Sequence, residues 1–171
     1  MAKSITMPIR GRDKVLFFRL LQDAAKGAAA RLALQVEHEW KYERDNEPVQ
    51  TKDGAIVQGG GLEVTLEVNA ISTRDELNKM LWESVKKGLK VEVWEVDLAS
   101  ATEGEANTYS ALYAQGNLNE WTIPANVEEL EELSTTMAID GQPISGKVTL
   151  TEEEVKEIEA IYEFTDLKAK A

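Results

Sequence analysis

Residues 31–42 read Arg-Leu-Ala-Leu-Gln-Val-Glu-His-Glu-Trp-Lys-Tyr, and residues 62–70 read Leu-Glu-Val-Thr-Leu-Glu-Val-Asn-Ala. Both runs alternate apolar and polar side chains with the period of two that a strand imposes, because successive Cβ atoms point to opposite faces. Leu32, Leu34, Val36, Trp40 and Tyr42 then share one face, and Arg31, Gln35, Glu37, Glu39 and Lys41 the other. A sheet with one apolar and one charged face is half-buried, as antiparallel sheets often are. At about 3.3 Å per residue the first run predicts one strand of about 40 Å, longer than most. Glu63 and Glu67 carry the charged face onto the second run.

Working outward, Lys14–Leu21 reads as a strand with Phe17 and Phe18, and Gln22–Ala30 as a turn or short helical piece. Residues 43–61 lose periodicity. Their Glu-Pro, Lys-Asp-Gly and Gly59-Gly60-Gly61 punctuation predicts a long loop with a small hairpin turning at Asp53-Gly54. A loop of that length inside a compact fold has a task or is disordered. The one sharply defined internal helix follows Ser72, read as its cap with Asp75 three residues on. Leu77, Met80, Leu81 and Val85 form its apolar stripe, and Gly88 stops it. Trp82 lies beside that stripe, exposed unless a partner covers it.

Leu89–Leu98 alternates again, but its phase slips from Leu89, Val91 and Val93 to Trp94, Val96 and Leu98. A bulge, or burial on both sides, accounts for such a slip. Residues 108–115 and 119–123 read as two strands around Gly116-Asn117. Residues 127–139 fit either period, with a strand favoured over 132–139. A short strand at 147–150 precedes a helix capped by Thr151, with Val155, Ile158 and Ile161 on its inner face. The expectation is one mainly β domain over 1–171. It is a β-sandwich or barrel of antiparallel strands with one flanking α-helix, an N-terminal arm at 1–12, the loop at 43–61 and a helical tail at 151–171.

Composition narrows the chemistry. The net charge is −12, and residues 127–171 hold 12 acidic and 4 basic side chains against 19 and 15 in the remainder. Affinity for a nucleic-acid backbone comes from Lys and Arg displacing counterions, so this balance disfavours gripping DNA or RNA. There is no cysteine and one histidine, His38, in phase with the inward apolar face. That is a poor start for a transition-metal site or a nucleophile, and His38 is read as a packed or interfacial residue. The glycine triplet lacks phosphate-loop spacing, and the Glu pairs at 128–132 and 152–154 lack the calcium-loop pattern. No catalytic, cofactor or metal residues are assigned, and no enzyme is expected. The opening Met-Ala-Lys-Ser-Ile-Thr lacks a signal-peptide core, and no apolar run approaches a membrane span of about 20 residues.

Taken in order, several stretches resemble a known family. These are Gly11-Arg12-Asp13-Lys14-Val15-Leu16, Thr51-Lys52-Asp53-Gly54 with the glycines and Leu62–Val68, and Ser72-Thr73-Arg74-Asp75-Glu76-Leu77 leading into Lys90–Glu95. Tyr113-Ala114-Gln115-Gly116 and Ser134–Gly141 complete the series. Over roughly residues 10–145 the chain resembles the major tail protein, the tail-tube subunit of bacteriophages with long, flexible, non-contractile tails. The resemblance implies a structural virion protein that self-assembles into stacked hexameric rings, a conduit for genome delivery into the host. Each copy would add about four strands to an inner barrel of about 37 Å across its backbone, wide enough for duplex DNA. DNA would pass without specific binding through an acidic lumen. Other partners would be the tape-measure, tail-terminator and distal-tail proteins, and assembly would take place in the host cytoplasm.

Arg10, Arg12, Glu47, Lys52, Asp53, Gly54 and Trp82 are the candidates for contacts between subunits or rings. Gln35, Glu37, Glu39, Glu63 and Glu67 are the candidates for the lumen or solvent face. The rival readings are a tube-forming subunit of a related secretion or injection machine, and a monomeric carbohydrate-binding β-sandwich. The second needs exposed coplanar aromatics, whereas those here are mostly in phase with aliphatic residues.

Overall fold

The computed structural model describes residues 8–101, 103–159 and 167. Residues 1–7 of the expected arm, and most of the expected tail beyond 159 with Ile161, lie outside the described residues. The elements run β1 (Lys14–Leu20), β2 (Ala30–Arg31), β3 (Gln35–Arg44), β4 (Glu47–Thr51), β5 (Gly54–Gln58), β6 (Leu62–Ile71), α1 (Glu76–Lys87) and β7 (Val91–Ala101). They continue with β8 (Thr108–Leu118), β9 (Glu132–Ile139), β10 (Ile144–Thr149) and α2 (Glu152–Glu159). One antiparallel sheet takes the order β2-β1-β7-β8-β9-β6-β3, with β10 added to β8, and β4–β5 forms a separate hairpin.

This sheet folds back on itself, so β3 at one end of the order faces β1 and β7. The Gln35 side chain joins the two layers: its Oε1 accepts from Leu16 N at 3.0 Å and its Nε2 donates to the carbonyls of Leu16 and Leu32. Between the layers lie Leu16, Phe18, Leu66, Val68, Val91, Val93, Leu133 and Met137, and Leu77 and Leu81 of α1 join the same core. A second core covers the other face of β1 and β7. There Phe17, Val96, Ala111 and Leu150 pack with Val155 and Ile158 of α2. Strands buried on both sides cannot alternate. This is why the phase slips after Val93, while the register shift in the β7–β8 ladder falls later, between Val96 and Ala101.

Four local expectations change. The run 31–42 is not one strand: β2 ends at Arg31, Leu34 takes φ +51, and a bulge between Gln35 and Glu37 restarts the ladder against β6. Gly116-Asn117 is no turn, since β8 runs through it. Gly116 sits where a Cβ would come within 1.9 Å of the Ala138 carbonyl oxygen, which permits the close crossing of β8 and β9. Residues 119–123 form a connection with one bridge, Thr122 to Ser134, because Pro124 follows and Trp121 and Ile123 turn toward the core. The cap of α1 is Asp75, accepting from Asn78 N at 2.9 Å and steadied by Thr73 Oγ1. Ser72 instead donates its backbone N–H to Glu131.

Candidate functional site

Strands β3, β6 and β9 present one outward polar face. The register places Glu37 beside Asn69 and Ser134, Glu39 beside Glu67 and Thr136, Lys41 beside Thr65 and Ala138, and Glu43 beside Glu63. Glu37, Glu39, Glu63 and Glu67 are exposed. Two like-charged pairs therefore stand directly opposite one another, a destabilising arrangement in a sheet. Lys41 relieves part of it, meeting Glu43 at 3.0 Å, and this hydrogen bond holds its ammonium above the usual lysine range. Gln35 departs from this face. The bulge after it reverses the alternation, so Gln35 turns inward with Ala70 as its partner, and His38, Trp40 and Tyr42 follow Val68, Leu66 and Val64.

Beneath that face, His38 lies against Glu95 at 2.5 Å, and Trp40 Nε1 donates to the same carboxylate oxygen at 2.7 Å. Lys14 completes the group at 3.8 Å. Burial pushes the Glu95 carboxyl up, but the hydrogen bonds from His38 and Trp40, with the charges of His38 and Lys14, together hold it below the usual range. On the opposite side of β7, Glu92 accepts from Arg19 Nε at 2.7 Å and from the Tyr113 hydroxyl at 2.6 Å. Both carboxylates are buried and both were missed in the sequence. The available signal was glutamate inside the unbroken run Val91–Val96, where a charge survives only if it is paired. The two clusters tie β3 to β7 and β1 to β8; they hold the fold together. Among the described residues no group of three or more His, Asp and Glu side chains is placed to hold a metal ion.

The hairpin β4–β5 is the prominent projection, with every residue of both strands exposed. Its turn is Lys52-Asp53, closed by Thr51 Oγ1 donating to the Gly54 carbonyl at 2.6 Å. Gly54 has φ +118, which suits glycine alone. Val49 pairs with Ile56 and Pro48 with Val57, so each face of the hairpin carries apolar side chains in water. Trp82 is 43% exposed on α1, with the Lys86 ammonium 3.8 Å above its ring.

The sequence profile of the family described as phage tail tube protein matches residues 8–145. The chain belongs to the phage tail tube family. A protein of Staphylococcus phage phiMR25 whose name places it in the phage tail is 26% identical over 157 residues, covering 90% of this chain and 80% of that one. A tail tube protein of Bacillus phage SPP1 is 28% identical over 92% of this chain, which spans 59% of that relative's length. The solved SPP1 tail tube subunit superposes with a TM-score of 0.74 at 22% identity, covering 96% of both chains. The tail of an empty gene transfer agent particle, refined with C6 symmetry, gives 0.63 at 10% identity over 80% of this chain and 98% of that one.

In this tail tube protein the expected contact residues occupy separate places. Glu47, Lys52, Asp53 and Gly54 lie together on the hairpin, and Arg10 and Arg12 lie exposed just before β1. Trp82 stands on α1. Of the basic residues that follow Arg10 and Arg12, Lys14 and Arg19 point to buried Glu95 and Glu92. An open cleft of about 600 Å³ separates Arg12 and Lys14 from Glu37, His38 and Glu39.

Proposed function

We propose that copies of this tail tube protein close into hexameric rings that stack into the tail tube, with the outward face of β3, β6 and β9 lining the lumen. The observation that carries the reading is the face itself: a continuous polar sheet surface with Glu37, Glu39, Glu63 and Glu67 in register. The opposite surface of β6 and β9 packs into the core, joined there by Trp40 of β3. A lumen that must let a polyanion slide benefits from repulsion, because no phosphate contact then has to be broken at each step. The six-fold tail of the gene transfer agent supports the ring order by fold. Closing the sheets of neighbouring copies also removes the free edge of β3, otherwise an aggregation hazard. The further partners on this reading are the tape-measure, tail-terminator and distal-tail proteins, and assembly takes place in the host cytoplasm before the protein resides in the virion.

The test uses the absence of cysteine from the chain. Glu39→Cys is introduced, the protein is assembled across a concentration series, and tubes are confirmed by electron microscopy. A bulky maleimide reacts with the cysteine in free subunits and spares it in intact tubes. Equal rates in the two states overturn the lumen assignment, and a 19.0 kDa monomer at every concentration overturns the assembly.

A further inference from the structure

We infer that the Asp53–Gly54 step at the tip of the β4–β5 hairpin is a site of spontaneous backbone isomerisation in the free subunit, forming an isoaspartyl link. The second Asp-Gly step of the chain, Asp140–Gly141, is protected by the fold.

The chemistry needs water and no enzyme. The backbone nitrogen of Gly54 attacks the side-chain carboxyl carbon of Asp53. A C–N bond forms, a C–O bond breaks, and one carboxyl oxygen leaves as water with the amide proton and the proton of the carboxyl group. The resulting five-membered succinimide takes up water at either carbonyl. Opening at the backbone carbonyl carries the main chain through the side chain as isoaspartate, and opening at the other restores aspartate. Glycine favours the step because it places no Cβ in the path of the carboxyl group.

The fold treats the two Asp-Gly steps differently. Asp53 and Gly54 are both exposed, and a Cβ built on Gly54 would meet nothing within 4 Å. Among the described residues the Asp53 carboxylate has neither a hydrogen bond nor an ion pair. Its backbone N–H reaches Thr51 Oγ1 at 3.2 Å, a tie within the turn itself. Strands β4 and β5 pair only with each other. A two-stranded hairpin alone is marginal in water, so this turn opens at small cost and lets the carboxyl group reach the Gly54 nitrogen.

Asp140 is held from several sides. Its N–H donates to the Gln115 carbonyl at 2.7 Å, and its carboxylate meets the Lys90 ammonium at 2.5 Å. Lys90 is fixed in turn by Asn117 Oδ1 at 3.1 Å, and Ile139 pairs with Gly116 in the main sheet. The ion pair is partly exposed and weak by itself. Reaching the Gly141 nitrogen also requires peeling the end of β9 from β8, and that costs sheet pairing. At the hairpin the product has a structural consequence. Isoaspartate adds a carbon to the main chain of a turn that has only Lys52 and Asp53 between its paired ends, Thr51 and Gly54, and puts Val49 and Ile56 out of step.

The experiment ages the unsubstituted chain at neutral pH in water labelled with heavy oxygen, once folded and once unfolded in urea. Each succinimide opening leaves one labelled oxygen on the residue that cyclised. Cleavage after glutamate puts Asp53 on the peptide 44–63, since the Glu47–Pro48 bond resists, and Asp140 on the peptide 133–152. Tandem mass spectrometry then places the label. In urea both steps take up label at comparable rates. In the folded chain Asp53 keeps its unfolded rate within about threefold, while Asp140 slows by about tenfold or more. A folded chain that protects Asp53 as fully as Asp140, or labels both at the unfolded rate, overturns the inference. Lys90→Gln, which frees the Asp140 carboxylate, speeds labelling on 133–152 and leaves 44–63 unchanged; the same rate on 133–152 in that variant counts against the protection assigned to Lys90.

Discussion

Replacing Glu95 by glutamine tests what holds β3 over β7. The carboxylate is 6% exposed and accepts from His38 at 2.5 Å and Trp40 at 2.7 Å. Glutamine keeps the shape but loses the charge and sets an amide N–H₂ among groups that donate. Hydrogen bonds to a charged group contribute about 1.5–3 kcal/mol each, so the two together reach about 3–6 kcal/mol. Removing the charge also removes the cost of burying it, which offsets part of that loss and leaves about 2–4 kcal/mol. For a chain of this size the melting temperature falls by about 5–15 °C. Lys14→Met is the control: at 3.8 Å and partly exposed, Lys14 contributes within about 0.5 kcal/mol.

The pH dependence has a definite sign. The carboxyl is held below its ordinary value of 4.5 in the folded state, so its contribution is complete above that value and drains away as the pH falls below it. The parent and Glu95→Gln therefore differ at pH 7 and converge in acid, read by circular-dichroism melts across the range. Melting within about 1 °C of the parent at pH 7, or a gap that stays constant down to pH 3, would refute the reasoning.

Asp75→Ala removes the cap of α1 and costs about 1 kcal/mol. Burial raises the Asp75 carboxyl, but bonds from Asn78 and Thr73 hold it below its usual range, so this loss too shrinks as the pH drops; equal melting points at pH 7 would contradict it. Gly116→Ala drives a Cβ to within 1.9 Å of backbone oxygen on β9, which no rotamer change relieves, and lowers the urea midpoint by the equivalent of about 3 kcal/mol or more. Glu67→Gln relieves the repulsion from Glu39 and stabilises the unassembled subunit by a few tenths of a kcal/mol, about 0.2–0.5, in low salt; the gain disappears at 1 M salt, and a gain unaffected by salt points to another cause.

Some features were legible in the residues themselves. Leu62–Ala70 alternates because one face of β6 meets the core and the other meets solvent, and β9 and α1 follow their own periods for the same local reason. The charge balance, the lack of cysteine and the isolation of His38 are likewise properties of composition, and they steered the reading toward scaffold. The order of stretches over 10–145 resembled the tail tube family, whose profile spans 8–145.

Other features were decided only when distant parts of the chain met. Whether 31–42 forms one strand depends on Leu16, 19 residues before Gln35, which takes the Gln35 side chain and turns it inward at the bulge. The burial of Glu92 and Glu95 depends on Arg19 and His38, 73 and 57 residues away, which supply their partners. The phase slip in β7 is an effect of α2 and β10 covering a face that β1 and β7 alone would leave in water. Periodicity records how one strand meets one core. A bulge, a buried ion pair and a face covered twice are set by contacts between segments, and a local pattern carries no record of those.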